Sequence, residues 1–515
     1  MDPKFIEAVR ATYPSGVPSV TVGAPVHGAE CHSEPLVSIP LAMMNRHGLV
    51  AGATGTGKTR TLQLLAEQLS AAGVPVFLSD VKGDVAGIAM PGEANDRVTT
   101  RARETGYAWK PLGCPAEFLS LSGKRGAQLR ATVSSFGPLL LAKVLGLNPT
   151  QTSVLTLVFK YCDDQKLLLL DFSDLRAVLQ YLTGDGAEAL KEYGGMSKAT
   201  VGVLLREMVG LESQGAGEFF GEPEFDLDDL LQTELDGRGL ISVLQLSDVQ
   251  DRPALSSTFM MWMLARLYAD LPEVGDLDKP KLVFFFDEAH LLFDDASKDF
   301  LNEVEKVVRL IRSKGVGVFF VTQNPKDVPA DILGQLGHRV QHALRAFTAD
   351  DEHALKSAAR TYPKTEFYDV EAVLTSMGIG EAFVTVLSPK GVPTPPFITR
   401  VVPPGARMGP LTEAELAQHI GVSQQVKHYA AAIDRDSARE RLAARAGAES
   451  EGAKSGAAPP ASRGREEQDA GTSIGDMLNS PLARTIAGTL TRGLMGALLP
   501  RRTSASRSTS RRRYF

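Results

Sequence analysis

The sequence predicts an α/β fold built on a mostly parallel sheet. Three observations predict it. A short apolar run, Leu49-Val50-Ala51, leads into a glycine-rich turn and then a helical pattern. A second apolar run, residues 282–286, ends in Asp287-Glu288, and a third, residues 316–322, ends in Gln323. Apolar strands with polar ends, separated by helical periodicity, are what crossover-connected parallel strands require.

Composition fits this class. The 515 residues carry 55 basic and 61 acidic side chains, a net charge of −6, with 43% hydrophobic and 23% charged residues. Those proportions exclude wholesale disorder and a fibrous repeat. The mild acidity excludes a uniformly basic nucleic-acid coat and leaves room for a local basic channel. Cys31, Cys114 and Cys162 lie far apart and outside any CxxC pair. Neither a disulfide framework nor a zinc module is expected, and a reducing cytoplasm is the expected compartment. The opening MDPKFIEAVRATYPSG has no apolar core of signal-peptide length. No run of about 18 apolar residues occurs, so no membrane span is expected.

Residues 1–45 are a short lead-in with a helix and a few edge strands. Residues 46–138 form the first part of the core: strand 49–51, helix 59–71 with Leu62, Leu65 and Leu69 on its apolar face, and strand 74–79. Residues 139–235 read as a helical insertion, with Asn148-Pro149 breaking its first helical run. The second part of the core, 236–391, resumes the alternation with strands near 239–246, 281–286, 316–322, 338–343 and 381–386. Residues 392–411 are proline-rich and read as an extended strap lying outside any sheet. A weakly apolar helical segment, 412–448, precedes a low-complexity flexible linker at 449–473. Leu482, Ile486, Leu490, Leu494 and Leu498 mark an amphipathic helix within 474–500, a candidate surface for a protein partner. An arginine-rich tail, 501–515, ends the chain.

The chemistry begins with Gly52-Ala53-Thr54-Gly55-Thr56-Gly57-Lys58-Thr59, a complete G-x-x-x-x-G-K-[ST] P-loop between a strand and a helix. Its glycines let successive N–H groups turn inward around phosphate oxygens, and the following helix adds its positive end. Lys58 is expected at the β- and γ-phosphates and the Thr59 hydroxyl at Mg²⁺. Asp287 and Glu288 have the Walker B form: Asp287 a metal ligand, Glu288 a base that activates water. Gln323, at a strand's C-terminal end, is expected to hold that water or sense the γ-phosphate. Asp80, Lys82 and Asp84 follow the 74–79 strand at the same edge and are weaker candidates for contact with nucleotide or a pore. His290 has no Cys or His spacing around it and is not expected to bind metal.

With these strands in place, the chain resembles the HerA–FtsK branch of P-loop ATPases, and within it the bacterial YjgR-like family. The resemblance runs over roughly residues 15–425 and is carried by GLVAGATGTGKTRTLQLLAEQL, FLSDVKGDVAGIA, LLLAKVLGLNPTQTSVLTLVFKYCDD, FFFDEAHLLFDDA, VRLIRSKGVGVFFVTQNPKDVP, LGHRVQHALRAFTADD and VVPPGARMGPLT. It implies a RecA-like core, ATP with Mg²⁺, and a ring, expected to hold six subunits. It also implies an arginine supplied in trans, for which Arg339 and Arg345 are the candidates and Arg312 and Arg407 the runners-up. The expected activity is Mg²⁺-dependent ATP hydrolysis driving a DNA translocase or helicase-like motor. The alternatives are an ATP-gated scaffold that moves nothing and, counted against by Glu288, a small-molecule P-loop kinase.

Overall fold

The computed structural model describes residues 2–445, apart from 29, 294–297, 347 and 434. The chain divides into two units, 1–448 and 449–515. The linker, the amphipathic helix and the arginine-rich tail expected from the sequence lie outside the described residues.

Thirteen strands are found among the described residues. In chain order they are β1 (Ser19–His27), β2 (Glu30–Cys31), β3 (Val37–Pro40), β4 (Gly48–Ala51), β5 (Val76–Asp80), β6 (Ala116–Ser120), β7 (Ala127–Gln128), β8 (Ile241–Gln245), β9 (Leu282–Phe286), β10 (Val316–Thr322), β11 (His338–His342), β12 (Glu381–Thr385) and β13 (Phe397–Val401). They form one sheet in the order β2-β1-β13-β12-β11-β4-β10-β9-β5-β8-β6-β7, with β3 paired to β1. From β11 to β7 every pairing is parallel, and the pairings on the β12 side are antiparallel.

The central strands are buried at every position, including LVFFF of β9 and VGVFFVT of β10. That is the composition of a sheet covered on both faces. Alternate side chains serve the two cores. Val50, Leu78, Val243, Phe285 and Val321 pack with Leu62, Leu65 and Leu69 of helix Lys58–Ala71 on one face. Leu49, Phe77, Leu244, Phe284 and Phe320 face the other core, shared with Phe259, Trp262 and Val307 of helices Pro253–Asp270 and Lys298–Ile311.

The helical insertion packs into that second core through Val158, Leu175 and Leu204. Its helices are Val133–Val144, kinked at Gly137, Pro149–Gln165, Phe172–Thr183 and Lys198–Ser213. Capping boxes at Asn148/Gln151 and Asp171/Asp174 fix two of the starts.

One expectation is corrected. The proline-rich strap does not stay outside the sheet, because residues 397–401 are β13, hydrogen-bonded between β1 and β12. The prolines fall at 393, 395 and 396 before the strand and at 403 and 404 after it. The six residues between, Phe-Ile-Thr-Arg-Val-Val, all keep their N–H groups and are rich in β-branched side chains. Beyond Val401 the chain does lie on the core as a strap. Glu67 of helix Lys58–Ala71 accepts from the Gly405 and Ala406 N–H groups at 2.8 and 2.9 Å. The lead-in is likewise stitched in: β1 pairs with β13, and Phe5 of helix Pro3–Thr12 packs at 4.7–6.2 Å from the rings of His27, Phe367, Tyr368 and Phe397.

Candidate functional site

Four neighbouring parallel strands, β11 aside, deliver the site: β4, β10, β9 and β5 end side by side. Their C-terminal ends carry the P-loop, Gln323, Asp287-Glu288 and Asp80-Val81-Lys82 respectively. The sequence-predicted residues therefore converge on one edge, at the position where ligands meet open α/β sheets.

The P-loop is strung between two strands. Gly52 N–H donates to Thr322 O at 3.2 Å and Ala53 N–H to Ala343 O at 2.9 Å. Thr56 donates its hydroxyl to Ala53 O at 2.7 Å, and its own carbonyl accepts from Gly380 N–H at 2.9 Å. Gly52 and Gly57 have φ of +153° and +124°, conformations that a side chain resists. Lys58 folds back onto the loop, donating to Gly52 O at 2.7 Å and Ala53 O at 3.3 Å. Burial pushes its pKa down, against the attraction of Glu288 and Asp287. Thr59 is half-buried at the start of the helix.

Behind the loop, His342 on β11 secures the helix. Its Nδ1 lies 2.8 Å from Glu381 O, so that nitrogen carries the proton. Its Nε2 then accepts from the Thr61 hydroxyl at 2.9 Å. Burial lowers its pKa to about 4, and the neutral ring is the form this bonding requires. The unfolded chain would bind a proton near pH 6.5. The stabilisation is therefore complete above pH 6.5 and lost as pH falls towards 4. His342→Gln should lower the unfolding free energy by about 2 kcal/mol at pH 7.5. By pH 5 wild-type His342 should have surrendered most of that margin, at about 1.4 kcal/mol per pH unit. Urea denaturation of both chains at the two pH values checks this, the other buried groups cancelling in the difference.

The Walker B pair is buried. Asp287 N–H donates to Ser79 Oγ at 3.0 Å, and Glu288 N–H donates to Asp287 Oδ1 at 3.0 Å. Burial, with the charge of Glu288, pushes the Asp287 pKa up to about 7. Glu288 stands at φ +46°, a strained conformation for a residue with a side chain. Burial raises its pKa, but the ion pair with Lys82 and the charges of His290 and Lys58 outweigh that and hold it low. Lys82 is thus the partner of Glu288, a role the sequence did not single out. Its loop is held by Asp80, which accepts from Gly83 and Val85 N–H groups at 2.7 and 3.3 Å. Asp80 itself is raised to about 6 by burial and by Asp84.

Gln323 accepts from the Thr54 hydroxyl at 3.3 Å. Both line a cleft of about 580 Å³ with Ala53, Asn324, Asp327 and Arg345. Arg345 therefore stands beside its own chain's P-loop. Arg339, on β11, donates to Thr361 Oγ1 at 2.5 Å and faces away from that cleft. Arg407 is held by both oxygens of Glu415 at 2.8 and 2.7 Å. Arg312 lies after helix Lys298–Ile311, at the opposite sheet edge.

The residues fit Mg²⁺. Asp84 Oδ1 and Glu288 Oε2 are buried without a hydrogen bond among the described residues, with His290 Nδ1 3.3 Å from the latter, and burial raises the Asp287 pKa to about 7. A cation would satisfy such a group. Among the described residues no cluster of His, Cys, Asp or Glu forms a ready-made metal cage. Mg²⁺ bound by one or two protein ligands plus substrate phosphates needs none.

The fold and the loop define a P-loop protein of RecA-like architecture. Residues 27–508 match the family model described as helicase HerA-like C-terminal, and the chain belongs to that family. No curated protein sequence matches. Among solved structures, the bacterial conjugative coupling protein TrwBdeltaN70, in an unbound monoclinic form, is similar with a TM-score of 0.51 and 16% identity, over 78% of this chain and 93% of that one. TrwB in complex with the non-hydrolysable ATP analogue ADPNP gives 0.50 and 16% over 78% and 94%. VirB4 of Thermoanaerobacter pseudethanolicus gives 0.45 and 15% over 75% and 97%. Among the described residues no helix is long and apolar enough to cross a membrane.

Proposed function

We propose that the chain is a Mg²⁺-dependent ATPase that works as an oligomeric ring, expected to be a hexamer, and moves along DNA. The observation that carries the hydrolytic part is the convergence of P-loop, Gln323 and Asp287-Glu288 on adjacent strand ends, with a buried glutamate in place to take a proton from water. Membership of a helicase family and the fold shared with a coupling protein bound to an ATP analogue support the motor reading.

In this reading the P-loop N–H groups cradle the phosphate chain. Lys58 leaves Gly52 O and Ala53 O to meet the β- and γ-phosphates. Thr59 and Asp287 would hold Mg²⁺, which neutralises charge on the phosphates when bound. Gln323 orients the attacking water. Glu288 accepts its proton, and the strained backbone at Glu288 aims the carboxylate. Arg339 and Arg345 are the arginines offered to stabilise the transition state. Arg345, beside its own P-loop, suits a role in cis, and Arg339 suits one across a subunit boundary.

Glu288 must part from Lys82 to act as the base. Lys82→Met is expected to raise basal kcat several-fold with KM for ATP within about twofold, since an unpaired carboxylate accepts a proton more readily. A fall in kcat in steady-state assays would instead make Lys82 an essential positioning group.

The function is tested by ATP turnover with and without Mg²⁺, and with duplex and single-stranded DNA. Turnover that requires Mg²⁺ and rises with DNA supports the motor. Turnover indifferent to DNA returns the ATP-gated scaffold to first place. A phosphorylated small-molecule acceptor would identify a kinase.

A further inference from the structure

A second cleft, of about 640 Å³, opens at the other edge of the sheet. Its walls come from segments that precede parallel strands: Arg46 and His47 before β4, Arg312 before β10, and Gly334 to Gly337 before β11. It is therefore separated from the P-loop by the length of the strands. Arg46, Arg309, Arg312 and Arg339 line it, and among the described residues no Asp or Glu does. Two acids stand near: Asp276, 92% exposed, at 3.4 Å from Arg46, and Glu305, paired with Arg309. Among the described residues the Arg339 guanidinium donates to the Thr361 hydroxyl, and the Arg312 guanidinium, unlike its carbonyl, which accepts from Gly315 N–H, has no hydrogen bond or ion pair. Burial, and after it the charge of Arg46, lower the Arg312 pKa, with Asp276 opposing.

His47 adds an independent sign of a ligand. It is 2% exposed, lies in the cleft wall, and holds a positive φ of 57°. Its Nδ1 accepts from Val318 N–H at 3.0 Å, so the ring's proton sits on Nε2. Among the described residues that Nε2–H makes no well-formed hydrogen bond, the Val308 backbone being a weak acceptor, and the buried Nε of Arg46 beside it has no partner. Buried donors without good acceptors are costly and rare. Here two poorly satisfied donors stand in the wall of a cleft with surplus positive charge.

We propose that this cleft is a binding site for phosphate groups, distinct from the P-loop, with Arg46, Arg309 and Arg312 supplying charge and His47 a neutral donor. The cleft has the size of a small-molecule site and remains open to solvent, so the phosphate chain of a nucleotide and the backbone of a nucleic acid both present the chemistry it would hold.

The test uses the full chain carrying Lys58→Ala, which removes the P-loop lysine from the competition for phosphate. Inorganic tripolyphosphate is titrated by calorimetry and a labelled 30-mer oligonucleotide by fluorescence anisotropy. Both are compared with the same chain bearing Arg309→Glu and Arg312→Glu, whose side chains are exposed. Arg97→Glu, on an exposed helix elsewhere, is the charge control. The milder Arg312→Gln guards against a folding defect. The expected result is at least a tenfold loss of affinity for one probe in the double variant and about threefold in Arg312→Gln, with Arg97→Glu unchanged. Loss confined to tripolyphosphate assigns the cleft to a nucleotide. Loss for the 30-mer, with the slope of log affinity against log salt reduced by about two, assigns it to a nucleic-acid backbone. Unchanged affinity for both probes, or an equal loss in Arg97→Glu, overturns the proposal.

Discussion

Glu288→Gln should cut ATP turnover by about a thousandfold while leaving nucleotide binding intact. The amide keeps the shape of the carboxylate but cannot accept a proton from water. It also loses its ion pair with Lys82, which frees the lysine rather than burying an unpaired charge, because Lys82 is half exposed. The P-loop contacts of Lys58 run to Gly52 and Ala53 carbonyls, so binding should survive the change. Equilibrium binding of a fluorescent ATP analogue and steady-state hydrolysis, measured on the same preparation, separate the two effects. Turnover that persists in the variant would remove Glu288 from the role of base.

Gly52→Ala is expected to act the other way, abolishing binding first. A Cβ at residue 52 would lie 2.5 Å from His342 Cβ and 3.0 Å from Thr56 Oγ1. The backbone conformation there is one that alanine adopts only under strain. His342 cannot yield, since both of its ring nitrogens are bonded, one to the helix that follows the loop. The cost should be about 2–4 kcal/mol of stability, with ATP affinity reduced more than tenfold. Gly55 offers a contrast within the same loop: its φ is +78°, but a Cβ would meet nothing within 4 Å. Gly55→Ala should therefore fold with a smaller loss. Thermal denaturation and ATP binding of the two variants test the comparison.

The P-loop, the Walker B pair and Gln323 were legible because each is a local pattern, a strand followed by the residue its C-terminal end exposes. Their meeting at one edge followed from parallel pairing alone. What escaped the sequence reading depends on pairings between distant segments. Lys82 lies 206 positions before Glu288, and only the adjacency of β5 and β9 joins them. The one signal available, that Lys82 follows a buried strand just as Asp287 and Gln323 do, made it a candidate in the sequence but named no partner for it. His342 was hidden because a single histidine beside a strand says nothing of the helix it will hold. β13 was hidden by the prolines that flank it, and because Phe-Ile-Thr-Arg-Val shows no apolar–polar alternation in sequence, although its burial alternates in the fold. The weakly patterned β6 and β7 were missed since only five and two residues pair. Among the resemblance-based candidates, the arginines were the least legible, because four of them look alike in sequence and only their positions on the fold separate them.

The strand order has a consequence for synthesis. The P-loop, at residues 52–59, is translated before the strands that flank it, for its strand β4 has β10 and β11 as neighbours. Those strands end at residues 322 and 342. A nascent chain of 250 residues already holds β5, β6 and β8, which pair with one another, but β4 then has no strand on either side. The nucleotide pocket is thus completed only with β10 and β11, although its motif is translated well before them. A ribosome-bound chain should remain blind to ATP until residue 343 has emerged, and a truncated product released before that point would carry the full P-loop sequence without the pocket it encodes.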